Sequence, residues 1–448
     1  MPRRNPFFGF AEPWEKRIGC LASPPRKSTI RFSNAAIRLG NANVLREFAM
    51  RDPSHARRVL VSIWGKPVGT IIATENPRVF AFRYEKGFLT SGLEIAPIAM
   101  PIRREPYAFP ELPFEEYEGL PPVFADSLPD AFGRGLINRY LSERGFSPQD
   151  IGPLDRLAYV GCRGMGALCY EPDRGPSGRT ASLEMRRLVE SARHAANGTL
   201  SELDGADALR EIIRLGSSAG GAQAKAVVGW NRRNGKFVFG DRSLPEGFEH
   251  WIIKITPKEY PSRGEKEYET YRKAKACGID MSESRLFDLD GIRHFMTKRF
   301  DRVGNERLHV ATLSAMAHFP MSAPREFRTY EQYLTTIERL DLGYEAKEQA
   351  FRRVAFNVWA DECDDHTKNF SFLMEPNGRW CLAPAYDLTG GGFPSGDPWS
   401  AHGTTHQLSV NGKFSSIADD DLLAFADRFA IGTAPKVLET MKSILEKS

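Results

Sequence analysis

Six chemically specific positions stand in one order between Ser217 and Asp387, and that order narrows the folds open to this chain more than any other feature. A glycine-bearing loop, Gly216-Ser217-Ser218-Ala219-Gly220-Gly221-Ala222-Gln223, runs into AKAVVGW, a turn over 231–235 and KFVFGD. β-branched and aromatic runs on either side of that turn predict a hairpin. HWIIKIT follows as a strand carrying Lys254, then a helix over 265–277 that carries Glu267 and is closed by Gly278. A strand over 292–299 precedes Phe300-Asp301-Arg302, and helices over 330–338 and 345–359 lead to Asp364, with Asn369 five positions later. A second hairpin, FSFLME and RWCLAP around Pro376-Asn377-Gly378, delivers Asp387 to a loop; helices over 419–429 and 434–447 close the chain.

Phosphoryl transfer from a nucleotide needs a loop over the phosphates, a cation on them, a base beside the acceptor hydroxyl, and oxygen ligands for Mg²⁺. Each has a candidate in the required order. The interval from Asp364 to Asn369 equals that between the catalytic Asp and metal-binding Asn of a protein-kinase catalytic loop. Asp387 falls where the second metal-binding carboxylate belongs, and Asn and Asp oxygens are hard ligands suited to Mg²⁺. Lys254 and Glu267 have the placement of a strand-lysine to helix-glutamate ion pair. Taken singly, each has a plainer reading. Gly220-Gly221 is not a Walker A sequence and is most often a turn, Lys254 can snorkel, and Asp364, Asp365, His366 and Lys368 form a solvated charged loop. Chance agreement of all six in order is what the plainer readings do not supply. His366 has no second His or Cys at ligand spacing.

The rest of the chain bounds this picture. With 448 residues, about three times a ~150-residue domain, two lobes or two to three domains are expected. Hydrophobic residues at 41% and charged residues at 26% match a soluble globular chain and exclude a disordered or collagen-like one. Residues 1–57 hold 11 Arg and Lys against 4 Asp and Glu, so the arm carries +7 of a total of +4 and the remainder carries −3. Prolines at 2, 6, 13, 24, 25 and 53 make that arm irregular. From Val59, VLVSIW, Gly65-Lys66-Pro67-Val68-Gly69, TIIA and RVFAFRY predict a hairpin and a further strand. Residues 101–135 are Pro-rich and loop-like, a helix is predicted over 132–144, and Gly161 to Gly166 turn into the strand ALCYEP. Segments 182–196 and 206–215 read as helical. The six cysteines are scattered, without C-x-x-C pairs, which gives neither a zinc site nor a disulfide framework. With no secretory signal and no run of ~20 apolar residues, a cytoplasmic protein without membrane association is expected.

Several segments closely resemble the HipA-type serine/threonine protein kinases of bacterial toxin–antitoxin modules: SSAGGAQAK at 217–225, HWIIKITP, KRFDR at 298–302, DDHTKNFSF at 364–372 and PAYDL at 384–388. LPPVFADSLPDAFG at 120–133, VGCRGMGAL at 160–168 and LSVNGKF at 408–414 extend the resemblance over about 58–448. It implies an α+β, protein-kinase-like two-lobed fold with an extra N-terminal α/β subdomain over 58–170, a kinase N-lobe with glycine loop and ATP lysine over 171–302, and a mostly helical C-lobe over 303–448. It further implies ATP and Mg²⁺ as cofactors, with Asp364 as catalytic base assisted by His366 and Lys368. Asn369 and Asp387 become metal ligands, and Lys254, paired with Glu267, contacts the phosphates with the loop Ser218, Ala219, Gly220, Gly221, Ala222 and Gln223. Ser218, or the adjacent Ser217, matches a loop serine whose autophosphorylation silences such kinases; roughly −1.5 to −2 of added charge there disfavours nucleotide binding. The implied partners are a HipB-like helix-turn-helix antitoxin, DNA mainly through that antitoxin, and a protein substrate such as glutamyl-tRNA synthetase or another aminoacyl-tRNA synthetase, with growth arrest and persistence as the outcome. Two other readings stay open: a small-molecule or lipid kinase, since the motifs do not encode the acceptor, and a non-catalytic corepressor subunit. Residues 1–57 fall outside the resemblance and are read as a start misassigned upstream of Met50, a DNA-touching arm or an antitoxin contact.

Overall fold

The computed structural model describes residues 55–142, 145–147, 149–175, 184–196, 224–240, 243–391 and 405–447. Residues 53–448 form one compact unit. β1 (Arg58–Ile63), β2 (Lys66–Ala73) and β3 (Phe80–Tyr84) form an antiparallel sheet completed by β4 (Leu168–Glu171), in the order β3-β2-β1-β4. Alternation along β1 buries Val59, Val61 and Ile63. The hairpin turn lies at Trp64-Gly65, both with positive φ, and Lys66 to Gly69 already belong to β2. Two consecutive left-handed residues match the strand twist better than the longer turn predicted at Gly65 to Gly69.

The Pro-rich stretch expected as loop contains two single-turn helices, α1 (Phe114–Tyr117) and α2 (Pro122–Ala125), each preceded by a proline at its N-cap. A proline at the first helical position sacrifices no bonded N–H, which is why such composition is compatible with helix there. α3 (Ala131–Ser142) and α4 (Pro153–Val160) precede β4, and α5 (Met185–Ala196) follows it. The segment 206–215, read as helical, lies outside the described residues.

β5 (Lys225–Trp230), β6 (Phe237–Phe239), β7 (Glu249–Lys254), β8 (Ser284–Leu289) and β9 (Ile292–Lys298) build a second antiparallel sheet, ordered β6-β5-β7-β9-β8. α6 (Arg263–Ala276) packs on it, and a Cβ at Gly264 would fall 2.2 Å from the Arg293 carbonyl oxygen. The missing side chain therefore lets α6 approach the sheet closely enough for Glu267 to reach β7. β8 escaped prediction because SRLFDL is an edge strand with polar residues on its solvent side.

The remainder is largely helical: β10 (Arg302–Val303), β11 (Glu306–Arg307), β12 (His309–Thr312), α7 (Leu313–Ala317), α8 (Tyr330–Arg339), α9 (Gly343–Trp359), β13 (Ser371–Met374), β14 (Trp380–Leu382), α10 (Asp419–Arg428) and α11 (Ala434–Leu445). Apolar residues of β1–β4 and α2, such as Phe82 and Phe124, share one core with Tyr333 of α8, Phe351 and Phe356 of α9 and Phe425 of α10. The second sheet has its own core, in which Val228, Trp251, Ile253 and Met296 pack under Leu188 and Val189 of α5. The first sheet thus buries its apolar face with the C-terminal helices.

Two of the motifs noted in the sequence turn out to bind each other. Asp301, fully buried, accepts from Arg299 at Nε (2.9 Å) and Nη2 (2.7 Å), from Arg302, and from the Gly166 N–H (2.8 Å). Arg299 and Arg302 in turn donate to the Gly164 carbonyl, and Arg307 to those of Gly166 and Leu168. The same turn corrects the expectation of no disulfide: Cys162 and Cys169 are bonded, with Cα atoms 4.3 Å apart. Gly161 and Gly166, both at positive φ, fold the chain back on itself, a closeness that cysteine spacing alone does not reveal. Cys277, Cys363 and Cys381 are unbridged.

Candidate active site

The loop holding Asp364 and Asn369 is set by the end of α9 and the start of β13. Asp361 reverses the chain at φ 50°, and a 3₁₀ turn at Thr367–Asn369 precedes the strand. Asn369 donates its N–H to the His366 carbonyl (2.9 Å) and its Nδ2 to the Asp364 carbonyl (2.8 Å). With the amide nitrogen committed to the loop, the amide oxygen is the atom available to a cation.

The β13–β14 hairpin carries the chain to Asp387. Ala385 forms a parallel bridge with Met281, and the Tyr386 hydroxyl donates to the Lys368 carbonyl (2.6 Å), which ties the two loops together. Asp387 itself sits at φ 57°, a left-handed conformation that Asp tolerates better than most residues. Glu362 adds a second tie, accepting from the N–H groups of Asp364 (3.1 Å), Gly390 (2.7 Å) and Thr389. Burial pushes the Glu362 carboxyl up to about 7, with those N–H donors only partly offsetting it.

Lys254, at the end of β7, donates to both Glu267 of α6 and Asp387. Burial disfavours its charge, but the two carboxylates more than compensate and hold its pKa above the ordinary lysine value. Burial likewise raises Asp387, yet Lys254 and then Lys225 reverse this and pull the carboxyl down to about 2. Glu267 is raised by burial, which Lys254 only partly opposes. Lys225, paired across the strands with Lys254, is also buried and lies 3.6 Å from Asp130.

Asp364, Asn369, Tyr386, Asp387 and Glu362 line one cavity. Five of the residues expected in the site are therefore together: Asp364 and Asn369 on one loop, Asp387 on the next, and Lys254 with Glu267 on Asp387 from the second sheet. His366 lies beside them, Nε2 being 3.7 Å from Asp364 Oδ1, while its buried Nδ1 has no hydrogen-bond partner among the described residues. Lys368 is turned elsewhere, its Nζ 5.8 Å from the Tyr117 ring centre and close enough to Asp126 to oppose the burial that raises that carboxyl to about 6. Ser217, Ser218, Ala219, Gly220, Gly221, Ala222 and Gln223 lie outside the described residues. The Ala224 carbonyl accepts from the Ile255 N–H (2.8 Å), and Lys225 pairs with Lys254, which sets the start of β5 beside the end of β7.

Sequence alone gave no role to Glu362, Lys225, Asp130, Asp126 or Gln407. The one local signal was Lys225 at the end of the glycine-bearing segment; the others act on partners 27 to 186 positions away, where spacing carries no information. Among the described residues no group of three or more His, Cys, Asp or Glu could hold a metal ion. One carboxylate and one amide oxygen nonetheless fit Mg²⁺, which completes its shell with water and phosphate oxygens.

A lysine–glutamate pair between sheet and helix, set against an Asp-plus-Asn loop and a second Asp, defines a protein-kinase-like α+β chain. Its relatives agree. A family described as HipA-like C-terminal domain matches residues 217–448, and one described as HipA N-terminal domain matches residues 59–171. The chain belongs to the HipA family. Y4dM of Sinorhizobium fredii, named a kinase by inference, is 24% identical over 415 residues, which span 86% of this chain and 90% of that protein. A protein of Haemophilus influenzae, named likewise, is 30% identical over 152 residues, 31% of this chain and 44% of its own. Shewanella oneidensis HipA, solved with HipB and its operator DNA, has the same fold, with a TM-score of 0.57 and 17% identity over 87% of this chain and 90% of that one.

Proposed function

We propose that this chain is an ATP- and Mg²⁺-dependent serine/threonine protein kinase acting as the toxin of a toxin–antitoxin pair. The observation that carries the reading is the Lys254–Glu267–Asp387 cluster facing Asp364 and Asn369. Asp364 orients the acceptor hydroxyl and takes its proton, and Lys254 exchanges part of its contact with Asp387 for phosphate oxygens when nucleotide enters. Asn369 and Asp387 would hold Mg²⁺, which supplies charge neutralisation on the phosphates. Positioning and charge carry such a reaction, so the protein's share is a fixed loop geometry, which Glu362 and Tyr386 provide. Ser218 or Ser217 is the proposed site of autophosphorylation. A HipB-like antitoxin is the proposed partner, DNA being reached mainly through it, and an aminoacyl-tRNA synthetase, such as the glutamyl enzyme, the proposed target in the cytoplasm. Among the described residues no helix is long and apolar enough to cross a membrane.

Incubation of the purified chain with [γ-³²P]ATP and Mg²⁺, followed by phosphoamino-acid analysis, tests the acceptor. Label in phosphoserine or phosphothreonine supports the reading, and label confined to a small molecule contradicts it.

A further inference from the structure

Asp364 has a partner outside the motifs that carry the chemistry. Gln407 Nε2 lies 3.1 Å from Asp364 Oδ1, and because a carboxylate only accepts, the contact must be amide N–H to oxygen. Gln407 is 43 positions from Asp364, and its placement is over-determined. Its own N–H donates to Asp365 Oδ1 (2.6 Å), and the neighbouring His406 Nδ1 donates to Asp365 Oδ2 (3.0 Å). Asp365 is almost fully buried and also accepts from the Tyr330 hydroxyl (2.6 Å), which takes a bond from Asn357 Nδ2 (2.9 Å). Two residues further on, Ser409 pairs with the segment entering α8, its carbonyl accepting from the Tyr330 N–H (2.9 Å) and its N–H donating to the Arg328 carbonyl (2.9 Å). The backbone at 406–409 is therefore clamped to the Asp364 loop through Asp365 and to α8 through Ser409, and Gln407 projects from the clamped stretch onto the carboxylate.

We propose that Gln407 is a positioning residue for the proton-accepting carboxylate of Asp364, with Asp365 as the buried hub that holds Gln407 in place. This inference rests on the kinase reading given above. A neutral donor on one carboxylate oxygen fixes the rotation of the group without neutralising it, which a lysine or arginine there would do. The pair also gives Asp365 a purpose that Asp364 does not share: both line the cavity, but Asp365 is almost fully buried and its carboxylate is taken up by Tyr330, His406 and the Gln407 N–H, so it organises the loop. Positioning errors near 1 Å lower turnover by ~100-fold in comparable settings, so loss of this contact is expected to lower kcat by ~10 to 100-fold.

The test uses the full chain and two near-isosteric variants. Gln407→Met removes the donor, and Gln407→Glu replaces it with a like charge beside Asp364; side-chain length is kept in both. ADP release from Mg·ATP gives kcat and KM, with thermal melting and the stoichiometry of bound ATP measured alongside. The expected result is a lower kcat in both variants, lower in Glu than in Met, with KM for ATP, melting temperature and binding stoichiometry as in the unmodified chain. Wild-type kcat in either variant overturns the proposal, as does a loss accounted for wholly by a smaller folded fraction. Asp364→Asn is run in parallel. If it retains full turnover, the assignment of the base is what fails; if it is inactive while both Gln407 variants are fully active, only the positioning role falls.

Discussion

Asp301→Asn is expected to be among the most destabilising single changes available in this chain, although Asp301 touches nothing in the active site. Its carboxylate is fully buried and takes two bonds from Arg299, one from Arg302 and one from the Gly166 N–H. The asparagine amide keeps the shape but offers one acceptor oxygen in place of two, turns an NH₂ toward guanidinium donors, and leaves two buried cations without a counter-charge. Breaking a buried ion pair by removing one partner costs about 3–5 kcal/mol, a factor of ~10² to 10³ or more in the folded-to-unfolded ratio. Urea unfolding followed by tryptophan fluorescence and far-ultraviolet circular dichroism measures it, with coincident transitions required before a single free energy is taken. The pH dependence follows from the same geometry. Burial acting alone would raise the Asp301 carboxyl, but Arg299 and Arg302 reverse this and hold it well below the usual carboxylate range. A depressed folded pKa means stabilisation that is present above the unfolded value near 3.9 and lost only as pH falls through the folded value. The difference between wild type and Asp301→Asn should therefore be flat from about pH 5 to 8 and shrink in acid. A difference below about 1 kcal/mol at pH 7, the range of an exposed surface pair, would refute the reasoning.

Lys254→Met should raise KM for ATP by ~10 to 150-fold, the equivalent of about 1.5–3 kcal/mol for a lost charge-assisted contact, in a nucleotide titration with folding checked by circular dichroism. Gly264→Ala should destabilise by about 1–3 kcal/mol in urea, because its Cβ meets the Arg293 carbonyl oxygen at 2.2 Å and α6 must retreat from β9. At His406, burial lowers the pKa but the Asp365 carboxylate more than offsets it, so the net shift is upward from 6.5. The stabilisation it contributes is then fully present below pH 6.5 and lost as pH rises through the higher folded value, so the stability gap to His406→Ala should narrow over that interval.

Most of the architecture was legible because it depends on local periodicity. The helix predicted over 330–338 is α8, that over 345–359 lies within α9, and the strand predicted over HWIIKIT is β7, which ends at Lys254 two residues short of the prediction, each with its apolar face buried. Glu267 was legible for a related reason: strand, short connection and helix leave few ways for the two side chains not to meet. Legibility ended where one side chain's role depends on a distant segment. Asp365 sits in a charged run that looks solvated, yet Tyr330, His406 and the Gln407 N–H converge on it and bury it. The KRFDR and VGCRGMGAL segments were visible as motifs, but nothing in either shows that Asp301 caps the Gly166 N–H across 135 positions. Lys368, expected to assist Asp364, is instead turned to Tyr117 and Asp126, a contact that needs the first sheet and the C-terminal helices to share a core.

The central claim is that Asp364 and Asp387 serve one phosphoryl-transfer centre. Single-turnover transfer from [γ-³²P]ATP, compared between the unmodified chain, Asp364→Asn and Asp387→Asn at matched folded concentration, tests it most directly. A fall of ~10²-fold or more is predicted for Asp364→Asn, that being the least contribution expected of a positioned general base, and a marked fall for Asp387→Asn through loss of its cation-holding carboxylate. Transfer at the unmodified rate in both would contradict it.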